Sequence, residues 1–217
     1  MFGKGVRIME RLYFELKNQR IYYFVPPAIL FILLPLTVLA AIKSGAGFSE
    51  FATISQLLIP GFAPWWPLFI LKEYLNSPGK ELLFVHKFSN KDSLFFRMII
   101  LWALFVLHVA IVFFYFSFLF DFVWFLFTAV VIQSLFMTAL AYFLSLLFQN
   151  TFVPLIINFA YISIFILVLF YSPLSIFINY PLYNAGSLGK SIVVTSIAFT
   201  LFYGGYQMEK RLFKNSI

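Results

Sequence analysis

The sequence predicts an all-α integral membrane protein, in which a single transmembrane domain of six helices accounts for residues 1–217. Hydrophobic residues make up 63% of the chain, charged residues make up only 11%, and the mean hydropathy is +0.96. Soluble domains are about 45–50% apolar and about 25% charged, so a soluble interior could not bury this much apolar surface. In addition, charge-free stretches of about 20 residues, the length that crosses a bilayer, alternate with polar segments.

The first predicted element is an amphipathic helix over residues 1–20, which we expect to lie in the membrane interface. Apolar residues such as Ile8 and Leu12 recur at helical spacing, whereas Arg7 and Arg11 fall on another face. A basic amphipathic helix is typical of the boundary between lipid headgroups and acyl chains. It therefore precedes the first span as an interfacial N-terminal helix.

Six spans follow, and each is a long apolar run without charge. Prolines in the first two are tolerated in membrane helices, because neighbouring helices satisfy the carbonyls that proline leaves without a donor. Between residues 98 and 189 the only charged side chain is that of Asp121, which we predict to cap the N-terminus of the fourth span. The predicted spans are residues 21–42, 51–71, 98–119, 122–148, 152–171 and 191–208.

The basic residues are distributed asymmetrically about these spans. Residues 1–20 hold five Lys and Arg, residues 72–97 hold five and the C-terminal end holds three, whereas the opposite side holds only Lys43 and Lys190. The excess of positive charge marks the cytoplasmic side, so both termini and the 72–97 segment are predicted to be cytoplasmic. Topology and anionic headgroups then explain the net charge of +7, and no nucleic acid partner is expected.

The sequence carries no pattern of a catalytic site, so we expect that the chain is not an enzyme by itself. It has no cysteine, no paired carboxylates within a span and no HExxH motif, and we expect no catalytic, cofactor or metal site. Residues 184–191 (NAGSLGKS) end like a Walker A loop, but Asn184 replaces its first glycine and no predicted strand precedes it. We therefore predict no ATPase site in this chain.

A few polar residues interrupt the spans, and two roles remain open for them. Such residues usually hold membrane helices together, and a helix–helix hydrogen bond would explain His108. Alternatively, they line a weakly polar seam along a translocation path, because polar and ionisable groups are costly in a membrane and often functional there. The candidates for that path are His108, Gln133, Thr138 and Asn158.

The longest polar segment, residues 72–97, contains a second short amphipathic helix. Residues 79–88 (GKELLFVHKF) have helical spacing, with Pro78 before them and Ser89 after them. Apolar residues exposed on the cytoplasmic side suit docking to a partner protein. The alternative is a juxtamembrane helix that only rests on the headgroups.

This layout resembles that of the permease subunits of ABC-2-type transporters, which have six spans, an interfacial helix before the first span and a coupling helix between the second and third. The link 144–156 is similar to the family's second, smaller contact with the ATPase, and residues 172–190 correspond to its outer re-entrant segment. The residues that resemble the family's motif between the second and third spans are Glu73, Gly79, Glu81, Leu82, Phe88, Ser89 and Arg97.

The resemblance implies a half-transporter in a bacterial cell membrane that exports a hydrophobic or amphipathic cargo, such as a peptide, lipid or drug. Two permease chains, identical or paralogous, would pair, and two separate ATP-binding subunits would dock from the cytoplasm. ATP and Mg²⁺ would bind to those subunits, so this chain would hold no cofactor, and its other contacts would be membrane lipids. The residues implied in coupling to the ATPase are Glu73, Gly79, Glu81, Leu82, Val85, His86, Lys87, Phe88, Gln149 and Asn150.

Three other classes of protein remain as alternatives. One is a self-contained membrane channel or transporter, but such proteins often use intramembrane charges or inverted repeats, and this sequence offers neither a carboxylate within a span nor a convincing repeat. Another is a membrane-embedded enzyme that acts on lipid, and the missing catalytic cluster weighs against it. The third is a purely structural membrane partner, for which residues 79–88 would contact no ATPase.

Overall fold

The bundle is helical throughout the part of the chain that the computed structural model describes, which is residue 17 and residues 20–43, 47–76, 94–171 and 185–214. No strand occurs within those residues, and they form six helices, the second of which is broken into two halves. The helices are α1 (residues 20–43), α2a (Gly47–Phe62), α2b (Trp65–Leu75), α3 (Leu94–Phe116), α4 (Val123–Phe148), α5 (Phe152–Tyr171) and α6 (Ala185–Lys214).

Four stretches of helix within the described residues are long and apolar enough to cross a membrane. The coarse prediction of a helical membrane protein is therefore confirmed. The six-span topology stays a prediction, because α5 and α6 were not among these four. The four stretches are Ile21–Ala40, Phe51–Leu75, Leu94–Phe116 and Val123–Phe148.

The helix boundaries differ from the predicted spans at several ends. α3 begins at Leu94 rather than at residue 98, and α6 begins at Ala185 rather than at residue 191. The predicted start of α3 was too late because Arg97 is charged, and the sequence alone places a charged residue in a loop. In the structure Arg97 lies in the first turn of α3 and is buried. The predicted interfacial helix over residues 1–20 and most of the outer segment 172–190 lie outside the described residues.

α1 is helical but not uniformly α-helical. It starts as a 3₁₀ turn (Arg20–Phe24), continues through one α-turn into a π-helical turn (Ile29–Leu33), and ends as an α-helix (Leu34–Lys43). Prolines lack the backbone N–H that an α-helix uses, and the three prolines of α1 shift the local hydrogen-bond register. The start of α1 is fastened to α2b, because the indole N–H groups of Trp65 and Trp66 donate to the Tyr22 and Tyr23 carbonyls at 3.0 Å each.

The second helix breaks at Ala63 and Pro64, in the middle of the predicted second span. Pro64 has no N–H to donate to the carbonyl of Pro60, so the helical ladder cannot continue through this point. The Gly61 carbonyl instead accepts a hydrogen bond of 2.6 Å from the Asn158 side-chain amide on α5. A neighbouring helix thus satisfies a carbonyl beside the break, as membrane helices with prolines require.

α4 is the central helix of the described bundle and packs against α2a, α2b, α3, α5 and α6. Its contact with α6 is close because two glycines of α6 face it. A Cβ atom at Gly205 would lie 2.5 Å from the Tyr142 ring, and one at Gly204 would lie 3.1 Å from the Phe143 ring. Small residues at such a contact allow two membrane helices to approach closely.

We expect Gly205→Ala to destabilise the bundle by about 1–3 kcal/mol, because the added methyl group overlaps the Tyr142 ring. Gly189→Ala on the same helix is the matched control, since nothing lies within 4 Å of a Cβ atom there. Thermal unfolding of both variants in the same detergent measures the difference. Equal unfolding temperatures for the two variants would contradict the close α4–α6 contact.

The turn between α3 and α4 corrects one prediction. Asp121 was expected to cap α4, but Phe122 occupies the N-cap position, with φ at +62°, and no side chain caps the helix there. Asp121 is exposed within the turn. Phe51 packs below this turn against Phe113 and Phe116, with ring centroids 5.5 and 4.6 Å away, so aromatic packing holds this end of the bundle.

Candidate functional site

The 77–93 segment joins the rest of the chain at one end of the bundle, where α2b ends and α3 begins. Six polar side chains that form hydrogen bonds between helices lie at this end. We call them the loop-end cluster. Its members are Tyr74, Asn76, Arg97, Tyr142, Asn150 and Glu209.

Glu209 on α6 holds the N-terminus of α3. Its carboxylate accepts hydrogen bonds from the backbone N–H groups of Leu94 at 2.8 Å and Phe95 at 3.1 Å, and from the Tyr142 hydroxyl. Only 2% of Glu209 is exposed. A buried carboxylate is costly unless donors surround it, and the first N–H groups of a helix are donors with a partial positive charge. One side chain of α6 therefore joins α3 to α4.

Arg97, in the first turn of α3, joins this helix to α2b. Its guanidinium donates a hydrogen bond of 2.6 Å to the Tyr74 hydroxyl and lies 5.6 Å from the centroid of the Tyr74 ring. Arg97 is 3% exposed. Within the described residues, Arg97 and Glu209 are the charged side chains that are buried, and both lie in this cluster. A guanidinium over an aromatic ring gains further stabilisation when both are withdrawn from water.

Asn76 joins the end of α2b to the link between α4 and α5. Its side-chain amide donates to the Asn150 side-chain oxygen at 3.3 Å, and its own oxygen accepts from the Thr151 N–H and hydroxyl at 3.4 Å each. The Asn150 oxygen also accepts the Phe152 N–H at 2.8 Å, at the start of α5. The preceding residue, Gln149, ends α4 in a left-handed conformation with φ at +49°.

Exposed basic residues surround the same end of the bundle. Lys72, Lys210 and Arg211 are all exposed, and the ammonium group of Lys210 lies 4.3 Å from the Tyr206 ring centroid. A concentration of exposed positive charge is typical of the cytoplasmic ends of membrane helices. The loop-end cluster therefore lies at the end of the bundle for which the sequence predicts a cytoplasmic location.

The structure describes only part of the predicted coupling residues. Glu73 is half-buried on α2b, Asn150 is half-buried within the α4–α5 link, and Gln149 is exposed beside it. Asn76, at the end of α2b, contacts that link through the Asn150 side chain. The remaining predicted residues, which are Gly79, Glu81, Leu82, Val85, His86, Lys87 and Phe88, lie outside the described residues.

Sequence reasoning missed Glu209, which accepts three hydrogen bonds in the cluster. It assigned Glu209 to a polar C-terminal tail, because a charged run begins there. Helical periodicity could have found it, since Ala198, Phe202 and Gly205 precede it at spacings of eleven, seven and four residues. All four residues are buried and continue one face of α6.

The prediction of a helix–helix hydrogen bond for His108 is wrong. Its Nδ1 lies 2.7 Å from the Leu104 carbonyl of the same helix. Contact with other helices is made by the ring, whose centroid lies 5.6 Å from that of Trp66 and 6.0 Å from that of Phe31. His108 therefore packs in an aromatic cluster between α1, α2b and α3.

The other three candidates for a translocation path lie on α4 and α5. Gln133 lines a cavity of about 110 Å³ between these helices. Thr138 is fully buried, and no described residue forms a hydrogen bond with its hydroxyl. Asn158 is buried and donates to the Gly61 carbonyl of α2a, which is a hydrogen bond between helices, the first of the two roles left open for these residues.

Chemically, the loop-end cluster is a set of hydrogen bonds between helices. Within the described ranges, no group of three or more His, Cys, Asp or Glu side chains could hold a metal ion. The fold and this cluster define a helical membrane protein in which both ends of one polar segment are tied to the bundle. Comparison of the chain with protein-family models, curated proteins and solved structures found no match.

Proposed function

We propose that this chain is the permease subunit of an ATP-driven ABC-2-type transporter, which exports a hydrophobic or amphipathic cargo and is coupled to separate ATP-binding subunits. The observation that carries the proposal is the attachment of the 77–93 segment. Its N-terminal end is tied through Asn76 to the α4–α5 link, and its C-terminal end is tied through Glu209 to α4 and α6.

These attachments suit the transmission of movement. A subunit that pushed on residues 77–93 would displace Asn76 and Leu94 together, and the hydrogen bonds of the loop-end cluster would carry that displacement to α4, α5 and α6. A ligand-driven change requires contacts that differ between two states. In this proposal the ATP-binding subunits supply that difference, since their closed and open forms contact residues 77–93 differently.

The proposal also includes six spans with both termini in the cytoplasm, and a second permease chain that pairs with this one. The exposed apolar side chains of the bundle support a location in lipid. A self-contained channel or transporter is the second candidate, and the buried polar residues between α2a, α4 and α5 favour it. The two candidates differ in whether a soluble ATPase binds the chain.

Purification from the native membrane in a mild detergent, with all partners identified by mass, distinguishes the two candidates. We expect a soluble ATP-binding protein in stoichiometric amount, and a Leu82→Asp, Phe88→Asp variant that loses it. A monodisperse preparation without an ATP-binding protein would contradict the proposal and favour the self-contained transporter.

A further inference from the structure

The two halves of the second helix are separated by a gap in the backbone hydrogen bonds. The ladder of α2a ends at the bond from the Ala63 N–H to the Ile59 carbonyl, at 3.0 Å, and that of α2b begins at the bond from the Leu68 N–H to the Pro64 carbonyl, at 2.9 Å. Neither Pro64 nor Pro67 has an N–H with which to bridge the gap. Sharp bends of helices occur at prolines, and a few residues at the end of an element are enough to absorb the rotation of a hinge.

α1 is irregular at the same level of the bundle. Its π-helical turn contains Phe31, whose ring centroid lies 6.0 Å from that of His108. The His108 ring also lies 5.6 Å from the ring of Trp66, two residues after Pro64. Both helices therefore depart from regular α-helix around one aromatic contact. π-helical turns within α-helices are frequent at functional sites.

The start of α1 and α2b are fastened to each other on the side of the loop-end cluster. Two hydrogen bonds run from the indoles of α2b to the Tyr22 and Tyr23 carbonyls. In addition, the Tyr22 ring stacks on that of Phe69 at 4.7 Å, and the Tyr23 ring stacks on that of Trp66 at 5.5 Å. We call this unit the hinged pair. Its residues are Arg20–Phe24 and Trp65–Leu75.

α2a, on the other side of the break, is held by α5 as well as by α4 and the second half of α1. The Asn158 amide of α5 donates its hydrogen bond of 2.6 Å to the Gly61 carbonyl, three residues before Pro64. A Cβ atom at Gly61 would lie 2.7 Å from the side chain of Ile162, one turn further along α5. Two side chains of α5 thus pack directly against the end of α2a at the break.

We propose that residues 61–64 are a hinge, about which the hinged pair tilts relative to α2a, and that the Asn158 side chain is the latch that holds the present conformation. A carbonyl inside a membrane requires a donor, so the bond from Asn158 favours the position in which Gly61 meets it. α2b leads directly into residues 77–93, so movement of that segment would tilt the hinged pair. This role in coupling rests on the proposed function, whereas the hinge itself does not.

Distances between two spin labels measure the tilt in the purified full-length protein in lipid nanodiscs. The natural chain has no cysteine, so Lys72→Cys on α2b and Arg211→Cys on α6 place the labels on two exposed positions. Lys72 lies eight residues beyond Pro64, so a tilt of about 20° moves it by about 4 Å. Arg211→Cys with Phe118→Cys is the reference pair, because neither position belongs to the hinged pair.

Asn158→Leu keeps the size of the side chain and removes the latch. We expect it to broaden the distance distribution of the 72–211 pair, or to shift its mean, by about 4 Å, and to leave the reference pair unchanged. Ser134→Ala is the matched control, because it removes another hydrogen bond between helices, from the Trp102 indole of α3 at 3.0 Å. We expect it to change neither pair. Asn158→Ala is used in the same way if the leucine variant does not fold.

Pro64→Ala in the Asn158→Leu chain assigns the motion to the break. The alanine supplies an N–H that can donate to the Pro60 carbonyl, so we expect the distribution of the 72–211 pair to become narrow again. No narrowing would overturn the hinge at this position.

Two further results would overturn the proposal. One is a distribution for the 72–211 pair that is the same with and without the Asn158 amide. The other is an equal change in Ser134→Ala or in the reference pair. Purification without an ATPase would contradict the transporter proposal and leave the spin-label result unaffected.

Discussion

Glu209→Ala is expected to lower the free energy of unfolding by about 3–5 kcal/mol, because three donors lose their acceptor and a buried donor without a partner costs about 1–3 kcal/mol. The substitution leaves the N–H groups of Leu94 and Phe95 and the Tyr142 hydroxyl without their shared acceptor. It also leaves a hole at the junction of α3, α4 and α6. Thermal unfolding in detergent, followed by circular dichroism, measures the loss.

Two companion variants determine whether the effect belongs to the network. Glu209→Gln keeps one oxygen that can accept from the α3 backbone, so we expect it to lose only part of the stability. Arg211→Ala removes an exposed charge two residues away and is expected to change stability by less than about 0.5 kcal/mol. If Glu209→Ala were as stable as Arg211→Ala, the carboxylate would not hold the start of α3.

The second large effect concerns coupling. Leu82→Asp is expected to abolish transport while the ATP-binding subunits continue to hydrolyse ATP and the membrane domain still folds. The reason is that a carboxylate in place of an apolar side chain within residues 79–88 would disrupt docking against an apolar surface. ATP hydrolysis and cargo transport measured in the same reconstituted vesicles give the ratio that reports coupling.

Lys91→Ala is the control for this prediction, because it lies in the same polar segment but outside residues 79–88. We expect it to transport normally. Charge reversal at both Glu81 and Lys87 should uncouple the two activities in the same way as Leu82→Asp. Normal transport by Leu82→Asp would show that residues 79–88 are not the coupling element.

The sequence is sufficient to predict the class of fold, which is a bundle of apolar helices long enough to cross a membrane. A helix that crosses a membrane must be apolar over about 20 residues, so the central part of each such helix can be identified in the sequence by its lack of charged residues. The ends of helices follow different rules. Arg97 was placed outside the third helix because it is charged, but Tyr74 of α2b offers a ring and a hydroxyl that allow it to be buried.

The loop-end cluster was predicted only in part, because its hydrogen bonds connect residues far apart in the chain. Asn76 and Asn150 form a hydrogen bond because the end of α4 lies beside the end of α2b. No local sequence pattern indicates that these two helix ends are neighbours. Glu209 meets Leu94 because α6 packs closely on α4 through Gly205. Composition indicated polar ends for these helices, but only the packing determines which polar residues pair.

Two expectations about individual residues were wrong. Asp121 is a favourable residue for an N-cap, but Phe122 takes that position in a left-handed conformation, and the chain turns one residue later than propensity predicts. His108 was expected to bond across helices, and its nitrogen instead reaches the Leu104 carbonyl of its own helix.

Site-specific photo-crosslinking in the native membrane tests the central claim most directly. Phe88 is replaced by a benzophenone derivative of phenylalanine, which keeps the aromatic ring, and Phe118 in the exposed α3–α4 turn is replaced in the same way as the control. We predict that position 88 forms an adduct with an ATP-binding subunit and that position 118 forms none. An intact, membrane-inserted chain that gave no such adduct at position 88, or gave it equally at position 118, would contradict the account.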